Sequence, residues 1–238
     1  GEGLTDLIVV GGDGTLNQAV NGLRDKSLVV SSIPAGTGND CVKNIEIGKT
    51  ITEQIDTAIF GGEKTIDLGL CNDRKFVNGV GIGFDGQIVH EMLHKKTFLT
   101  GHAAYYYHVL RILASYIERS FVFSVDEQLL ESKDLILMTI ANGTTFGGGF
   151  RLTPNASLDD GLLDLCMIGK LSPIRRFLNV GKLSNGTHLS LSEVEERKCK
   201  SLSVEENPVL EAHIDGEYLG KPPFQIKILP KSLKVKTR

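Results

Sequence analysis

The sequence predicts an α/β unit followed by a larger β-rich unit of sandwich type, with the working cleft between them. Two changes of texture carry that prediction. Up to about residue 66, apolar runs end in glycine-rich turns and pass into stretches with helical spacing, the strand–loop–helix order of a parallel sheet. From about Thr65 onward, short β-type runs recur between turn residues, as in a mostly antiparallel sandwich or barrel. We therefore assign residues 1–66 to the first unit and 67–229 to the second, with the tail from about 230 to 238 returning to the first.

The first strand is Leu7-Ile8-Val9-Val10, and Leu16, Val20 and Leu23 follow at helical spacing. A second apolar run, Leu28-Val29-Val30, leads through Ile33 to Pro34 and another glycine turn. The chain is already in a strand by Leu7, so the α/β unit reads as truncated at its start. In the second unit the β-type runs are 66–71, 76–80, 121–125, 135–140, 162–168, 209–214 and 224–229. Helical stretches are expected at about 87–96 and 102–118, with a third after Pro173. Tyr105, Tyr106, Tyr107, Leu110, Leu113 and Ile117 make an apolar stripe on the second of these, which core packing explains by default.

Bulk composition excludes some classes of function. Of 238 residues, 41% are hydrophobic and 23% charged, and the formal net charge is −3. A dedicated nucleic-acid binder is usually clearly basic, so no nucleic-acid partner is expected. No apolar run reaches the roughly 18 residues that span a bilayer as a helix. The four cysteines are far apart and form no CxxC pair, which fits reduced thiols and a cytoplasmic location.

The chemistry gathers at two glycine loops. Gly11-Gly12-Asp13-Gly14-Thr15 sits where a strand ends and a helix begins, where backbone N–H groups can meet phosphate oxygens. Asp13 there could reach a metal ion or its water shell, and Thr15 could cap the helix or touch phosphate. Pro34-Ala35-Gly36-Thr37-Gly38-Asn39-Asp40 follows the next strand and opens onto the same sheet edge. Together they would floor a nucleotide polyphosphate.

These two loops, in this order, resemble the catalytic domain of the diacylglycerol kinase, sphingosine kinase and bacterial soluble lipid kinase family. The resemblance continues through Thr65–Gly69, Phe76–Asp85, Asn142 with Gly147–Gly149, Pro154–Asp164 and Ile214-Asp215-Gly216-Glu217. It implies an ATP-dependent kinase that phosphorylates a hydroxyl of a membrane lipid, diacylglycerol to phosphatidic acid first among them. It implies ATP and Mg²⁺ as cofactors, with Gly11, Gly12, Asp13, Gly14, Thr15, Asn17, Gly36, Thr37, Asn39, Asp40 and Asp67 on the nucleotide side. Asp215 is expected to be the base, with Glu217 and Asp13 beside it in catalysis. A separate cation is expected on Asp160 and the carbonyls of Ser157 and Leu162. The expected partner is a lipid at the bilayer surface, with peripheral membrane contact; a homodimer is left open. A related kinase of the NAD kinase or phosphofructokinase kind, and a non-catalytic lipid-binding member of the fold, are the alternatives.

Two other patterns compete for attention. His90-Glu91-Met92-Leu93-His94 matches the HExxH zinc pattern but has no evident third ligand, and reads as a solvated helix face. Gly81-Ile82-Gly83-Phe84-Asp85-Gly86 matches GxGxxG, yet lies in a β-rich context without the acidic residue that a dinucleotide site needs.

Overall fold

The computed structural model describes residues 3–25, 27–95 and 101–238, apart from the side chains of 101, 102 and 104–106. The first unit runs β1 (Asp6–Gly11), α1 (Asp13–Gly22), β2 (Val29–Pro34) and α2 (Ile51–Phe60). β1 and β2 are parallel and in register from Asp6↔Val29 to Gly11↔Pro34, so both glycine loops leave the same edge. α1 buries Leu16, Asn17 and Val20, the helical face read from the sequence with one polar residue added. α2 was not expected from the sequence. A capping box starts it: Thr50 accepts the Glu53 N–H while Glu53 reaches back to the Thr50 N–H.

The second unit follows as β3 (Gly62–Cys71), β4 (Arg74–Phe76), β5 (Gly79–Gly83), α3 (Phe84–His94), α4 (Gly101–Ser115), β6 (Arg119–Val125) and β7 (Glu131–Ala141). It continues with β8 (Leu163–Gly169), α5 (Pro173–Asn185), β9 (Val194–Cys199), β10 (Ser201–Val204), β11 (Ala212–Ile214), β12 (Glu217–Gly220) and β13 (Phe224–Thr237). Its pairings are antiparallel, and Phe121, Phe123, Met138, Leu165 and Leu202 fill its core. β13 joins the two units. Its first half pairs with β10 and β3, while Lys234 and Val235 lie parallel to Val29 and Val30 of β2. The architecture is thus a parallel α/β unit sharing a mixed sheet network with an antiparallel sandwich-like unit.

Three expectations change. The apolar run 76–80 is two strands, because the N–H groups of Val77, Asn78 and Gly79 turn to a carboxylate instead of a ladder. The run 209–214 is a strand only from Ala212, after Pro208. β9 and β10 were missed, since Val-Glu-Glu-Arg-Lys-Cys hides a strand behind charge. Arg197 on β9 pairs with Glu131 of β7, and Lys133 of β7 with Glu195. Lys96 and the side chains of Tyr105 and Tyr106 lie outside the described residues.

Candidate active site

The two glycine loops touch. A Cβ built on Gly36 would stand 2.5 Å from the Gly12 Cα, so a side chain at either position would force the loops apart. Asn39, at φ +52°, closes the second loop on itself, accepting the Gly36 N–H at 3.0 Å and donating to the Gly36 carbonyl at 2.7 Å. Asp13 ties the loops together: Oδ2 accepts the Asp40 N–H at 3.0 Å and Oδ1 the Cys41 N–H at 2.9 Å. No side chain caps α1 at Gly12, which leaves first-turn N–H groups open to an anion. Thr15 folds back over Gly11.

Asp40 reaches the second unit. Its Oδ1 accepts from Lys43 Nζ at 2.7 Å and its Oδ2 from the Gly148 N–H at 2.8 Å. Asn44 adds a second link, accepting the Thr144 N–H at 2.8 Å. These bonds hold the glycine floor beneath a cavity of about 540 Å³. Asp13, Thr37, Gly38 and Asp40 line one end of it. Phe84, Ile88, Leu113, Leu152 and Val180, brought together by α3, α4, α5 and the β8-side loops, make the rest largely apolar. The volume falls within the range of small-molecule sites.

Asp215, the expected base, sits in a tight turn with its carboxylate heavily bonded. Asp215 and Gly216 form the two-residue turn between β11 and β12, with φ +47° and +83°, the Asp-Gly hairpin chemistry. The side chain turns inward and is 4% exposed. Oδ1 accepts the N–H groups of Asn78 (3.0 Å) and Gly79 (2.9 Å); Oδ2 accepts the Val77 N–H (2.9 Å) and Asn17 Nδ2 (2.8 Å). A carboxylate offers about four lone-pair sites, and all four are occupied. Burial pushes this carboxyl up, and the same four bonds pull against it. Asp215 ties the two units together in this arrangement and also lines the cavity.

Other expected residues divide in the same way. Asn17 is buried under the loop, donating to Asp215 and to the Lys75 carbonyl, so it braces the cleft and does not face a nucleotide. Asp67 is absent from the cavity wall: its oxygens accept the Gly161 and Lys231 N–H groups, both at 2.7 Å. Glu217 stands over the start of α1, where a Cβ on Gly14 would lie 2.7 Å from its Oε1, and it pairs with Arg74. Arg74 also donates to Asn17 Oδ1 at 3.1 Å.

At the separate cation site the expected carboxylate already has protein partners. Asp160 Oδ2 is 2.7 Å from Lys198 Nζ, and Oδ1 accepts the Leu162 N–H at 3.0 Å. Ser157 donates its hydroxyl to Asp159. Lys198 Nζ also lies 3.3 Å from Asp164 Oδ2. An ammonium group thus engages the expected carboxylate, and among the described residues no cluster of three or more His, Cys, Asp and Glu has metal-holding geometry.

The HEMLH stretch corrects another expectation. Glu91 is buried and binds Lys95 at 2.7 Å and Arg111, which fastens α3 to α4, so this is no solvated face. His90 and His94 stack at 4.3 Å between ring centroids, beside Tyr218. The GxGxxG glycines serve packing: Gly86 lies against the Glu211 carbonyl, and Gly81 leaves room for Asp85 and His213. Both of those residues line the cavity and were missed. The available signal was an acid flanked by glycines in a strand context where no dinucleotide turn belongs.

A glycine-floored α/β unit facing a sandwich across a cleft is a fold that this chain shares with NAD kinases. An NAD kinase from Archaeoglobus fulgidus solved with ATP has the same fold, at TM-score 0.50 and 11% identity over 98% of this chain and 77% of that one. A Bacillus anthracis diacylglycerol kinase structure is nearer, at TM-score 0.73 and 24% identity over 98% and 76%. The diacylglycerol kinase catalytic domain profile matches residues 2–71, and the YegS C-terminal NAD kinase beta sandwich-like domain profile matches 78–237. The diacylglycerol kinase of Bacillus subtilis is 31% identical over 91% of this chain and 72% of its own. That of Mycobacterium tuberculosis is 29% identical over 98% and 77%. The chain belongs to the diacylglycerol kinase family and is a phosphotransferase with an alcohol acceptor.

Proposed function

We propose that this chain moves the γ-phosphoryl group of ATP to a hydroxyl of a membrane lipid, with diacylglycerol the first candidate and phosphatidic acid the product. One observation carries the reading: the apolar cavity opens directly onto the two glycine loops. A polar acceptor such as a nucleotide would leave such walls unpaired, while an acyl chain fits them. The curated relatives named diacylglycerol kinase support the same substrate.

The floor has a defined part in this. N–H groups at the start of α1 and in the second loop would take phosphate oxygens. Each Asp13 oxygen accepts one N–H, so each keeps acceptor capacity. Asp13, with Asp40 beside it, would hold a nucleotide-borne Mg²⁺, which supplies positive charge against the phosphates. Arg74 could exchange Glu217 for a phosphate oxygen, since both stand at the start of α1. No helix of the described residues is long and apolar enough to cross a membrane, so contact with the bilayer would be peripheral.

The test is transfer from radiolabelled ATP over a panel of lipids in mixed micelles, with NAD as a water-soluble control. Label in a lipid, diacylglycerol first, supports the reading. Steady phosphorylation of NAD without lipid would replace it with the NAD kinase alternative.

A further inference from the structure

One surface helix presents an apolar stripe to solvent. α5 starts at Pro173 with Ser172 as its cap, and its inner face is held by a buried arginine. The Arg176 guanidinium donates to the carbonyls of Leu171 (2.8 Å), Leu113 (3.1 Å) and Tyr116 (2.7 Å) and to Glu118 (2.8 Å). Val180 and Leu183, on the same inner side, line the cavity. The outer side carries Ile174, Phe177 and Leu178, which are 73%, 45% and 77% exposed. Their i, i+3, i+4 spacing sets them in one stripe, where an ordinary surface helix presents polar residues. Charge marks the same stretch. From Leu165 to Ser192 the chain has Lys170, Arg175, Arg176 and Lys182 and no acidic residue, although its net charge is −3. Arg175 and Lys182 stand two turns apart along one flank of the stripe. Arg175 pairs with Glu193 at the surface, a contact weak enough to yield to a phosphate.

We infer that α5 is the face by which this chain seats on an anionic lipid bilayer; this rests on the lipid-kinase reading above and deepens it. The helix lies in the membrane plane, with Ile174, Phe177 and Leu178 entering the boundary between headgroups and acyl chains. Arg175 and Lys182 meet lipid phosphates beside them. Charge favours this occupant over a second copy of the chain, because pairing α5 with α5 would bring the basic flanks together. Continuity with the cavity points the same way. One side of the helix walls the apolar cavity and the other meets the lipid, so seating brings that wall against the bilayer. With 13 residues the helix is too short to span, and its narrow stripe makes the seating shallow and reversible.

The experiment uses the full chain, which has no tryptophan, and phosphatidylcholine vesicles with or without phosphatidylglycerol. Phe177→Trp supplies a sole reporter on the stripe. Its emission should move to shorter wavelength on the mixed vesicles and be quenched by lipids brominated on their acyl chains. Ile174→Gln, Phe177→Gln and Leu178→Gln together keep helix propensity, so the melting midpoint should stay near the parent's. That triple variant should lose at least about tenfold in vesicle partitioning. Arg175→Gln with Lys182→Gln should lose about tenfold on anionic vesicles and little on neutral ones. On a short-chain diacylglycerol dissolved as monomers the triple variant should keep the parent's kcat, while on vesicles it should need more lipid to reach half its maximal rate. A Phe177→Trp emission that ignores the vesicles, or a triple variant that partitions like the parent, overturns the inference. A parent dimer that the triple variant splits into monomers makes the stripe a subunit contact and overturns it too. Seating through α5 without phosphate reaching any lipid would instead overturn the lipid-kinase reading.

Discussion

Replacing Asp215 by asparagine tests whether that carboxylate is a tie or a base, because the two roles predict opposite observables. Three consecutive backbone N–H groups and the Asn17 amide converge on it. In asparagine one oxygen becomes an NH₂, so two of the four donors would face a donor. Hydrogen bonds to a charged acceptor contribute about 1.5–3 kcal/mol each, and a buried N–H left unpaired costs about as much as it loses. Two lost bonds therefore come to about 3–6 kcal/mol, a large part of the roughly 5–15 kcal/mol that holds a domain together. At about 2–4 °C per kcal/mol for a chain of this size, the midpoint should fall by roughly 10 °C. Thermal melting followed by far-UV circular dichroism reads this directly, and urea titration checks that the slope is unchanged. A variant that melts within about 2 °C of the parent while losing turnover would refute the tie and return Asp215 to the role of base.

Three further outcomes follow from the same geometry. Asp13→Asn keeps one oxygen for a loop N–H but removes the charge, so turnover should drop about tenfold to a hundredfold with the fold retained; normal turnover would take Asp13 out of the site. Burial pushes Glu91 up, but Lys95 and Arg111 outweigh it and hold the carboxyl at about 2, below its ordinary 4.5. Its contribution is therefore present above about pH 4.5 and lost as pH falls towards 2. Both partners are substantially exposed, so this contribution is only about 1–2 kcal/mol, and Glu91→Gln should flatten that part of an acid-denaturation curve. The Lys198 ammonium predicts that EDTA leaves the parent's melting midpoint unchanged. Lys198→Ala should melt several degrees lower and recover with millimolar Mg²⁺, and a parent that melts lower in EDTA would contradict the assignment.

What the sequence revealed was what backbone chemistry writes locally. The glycine loops were legible because close approach of two backbones requires residues without side chains, and Gly12 against Gly36 is such a contact. The shift from helical to alternating patterns located the change of architecture. The capping box of Thr50 and Glu53 was equally local but went unread, because its helix is short and leaves Ile51, Ile55 and Ile59 exposed. β9 was hidden because its partners are cross-strand ions and not apolar neighbours. His213 and Asp85 meet only through the pairing of β11 with β5, and no local spacing announces that. The setting of Asp215 was hidden for the opposite reason. Its motif was visible, while the four donors that fill it come from elsewhere in the chain.

The motif acids share a physical logic. A carboxylate is the side chain best able to gather several backbone N–H groups at one point. Asp13 gathers those of Asp40 and Cys41, Asp67 those of Gly161 and Lys231, and Asp215 those of Val77, Asn78 and Gly79. Glycines flank these acids for two reasons: Gly12 and Gly36 approach too closely for a side chain, and Gly161 and Gly216 adopt positive φ. An Asp-Gly motif in this fold therefore marks a place where loops are stitched together, and only some stitches face the cavity. Asp13, Asp40 and Asp215 do, and Asp40 shares its carboxylate with the Gly148 N–H at the cavity wall. Asp67 lies away from it, holding the loop at 158–161 against β13. Phosphoryl transfer depends on placing donor and acceptor within a fraction of an ångström, so fixing the loops is itself a catalytic contribution. In this chain that placement rests on bonds crossing the seam between the units: Asn17 to Asp215, Asp40 to Gly148 and Asn44 to Thr144.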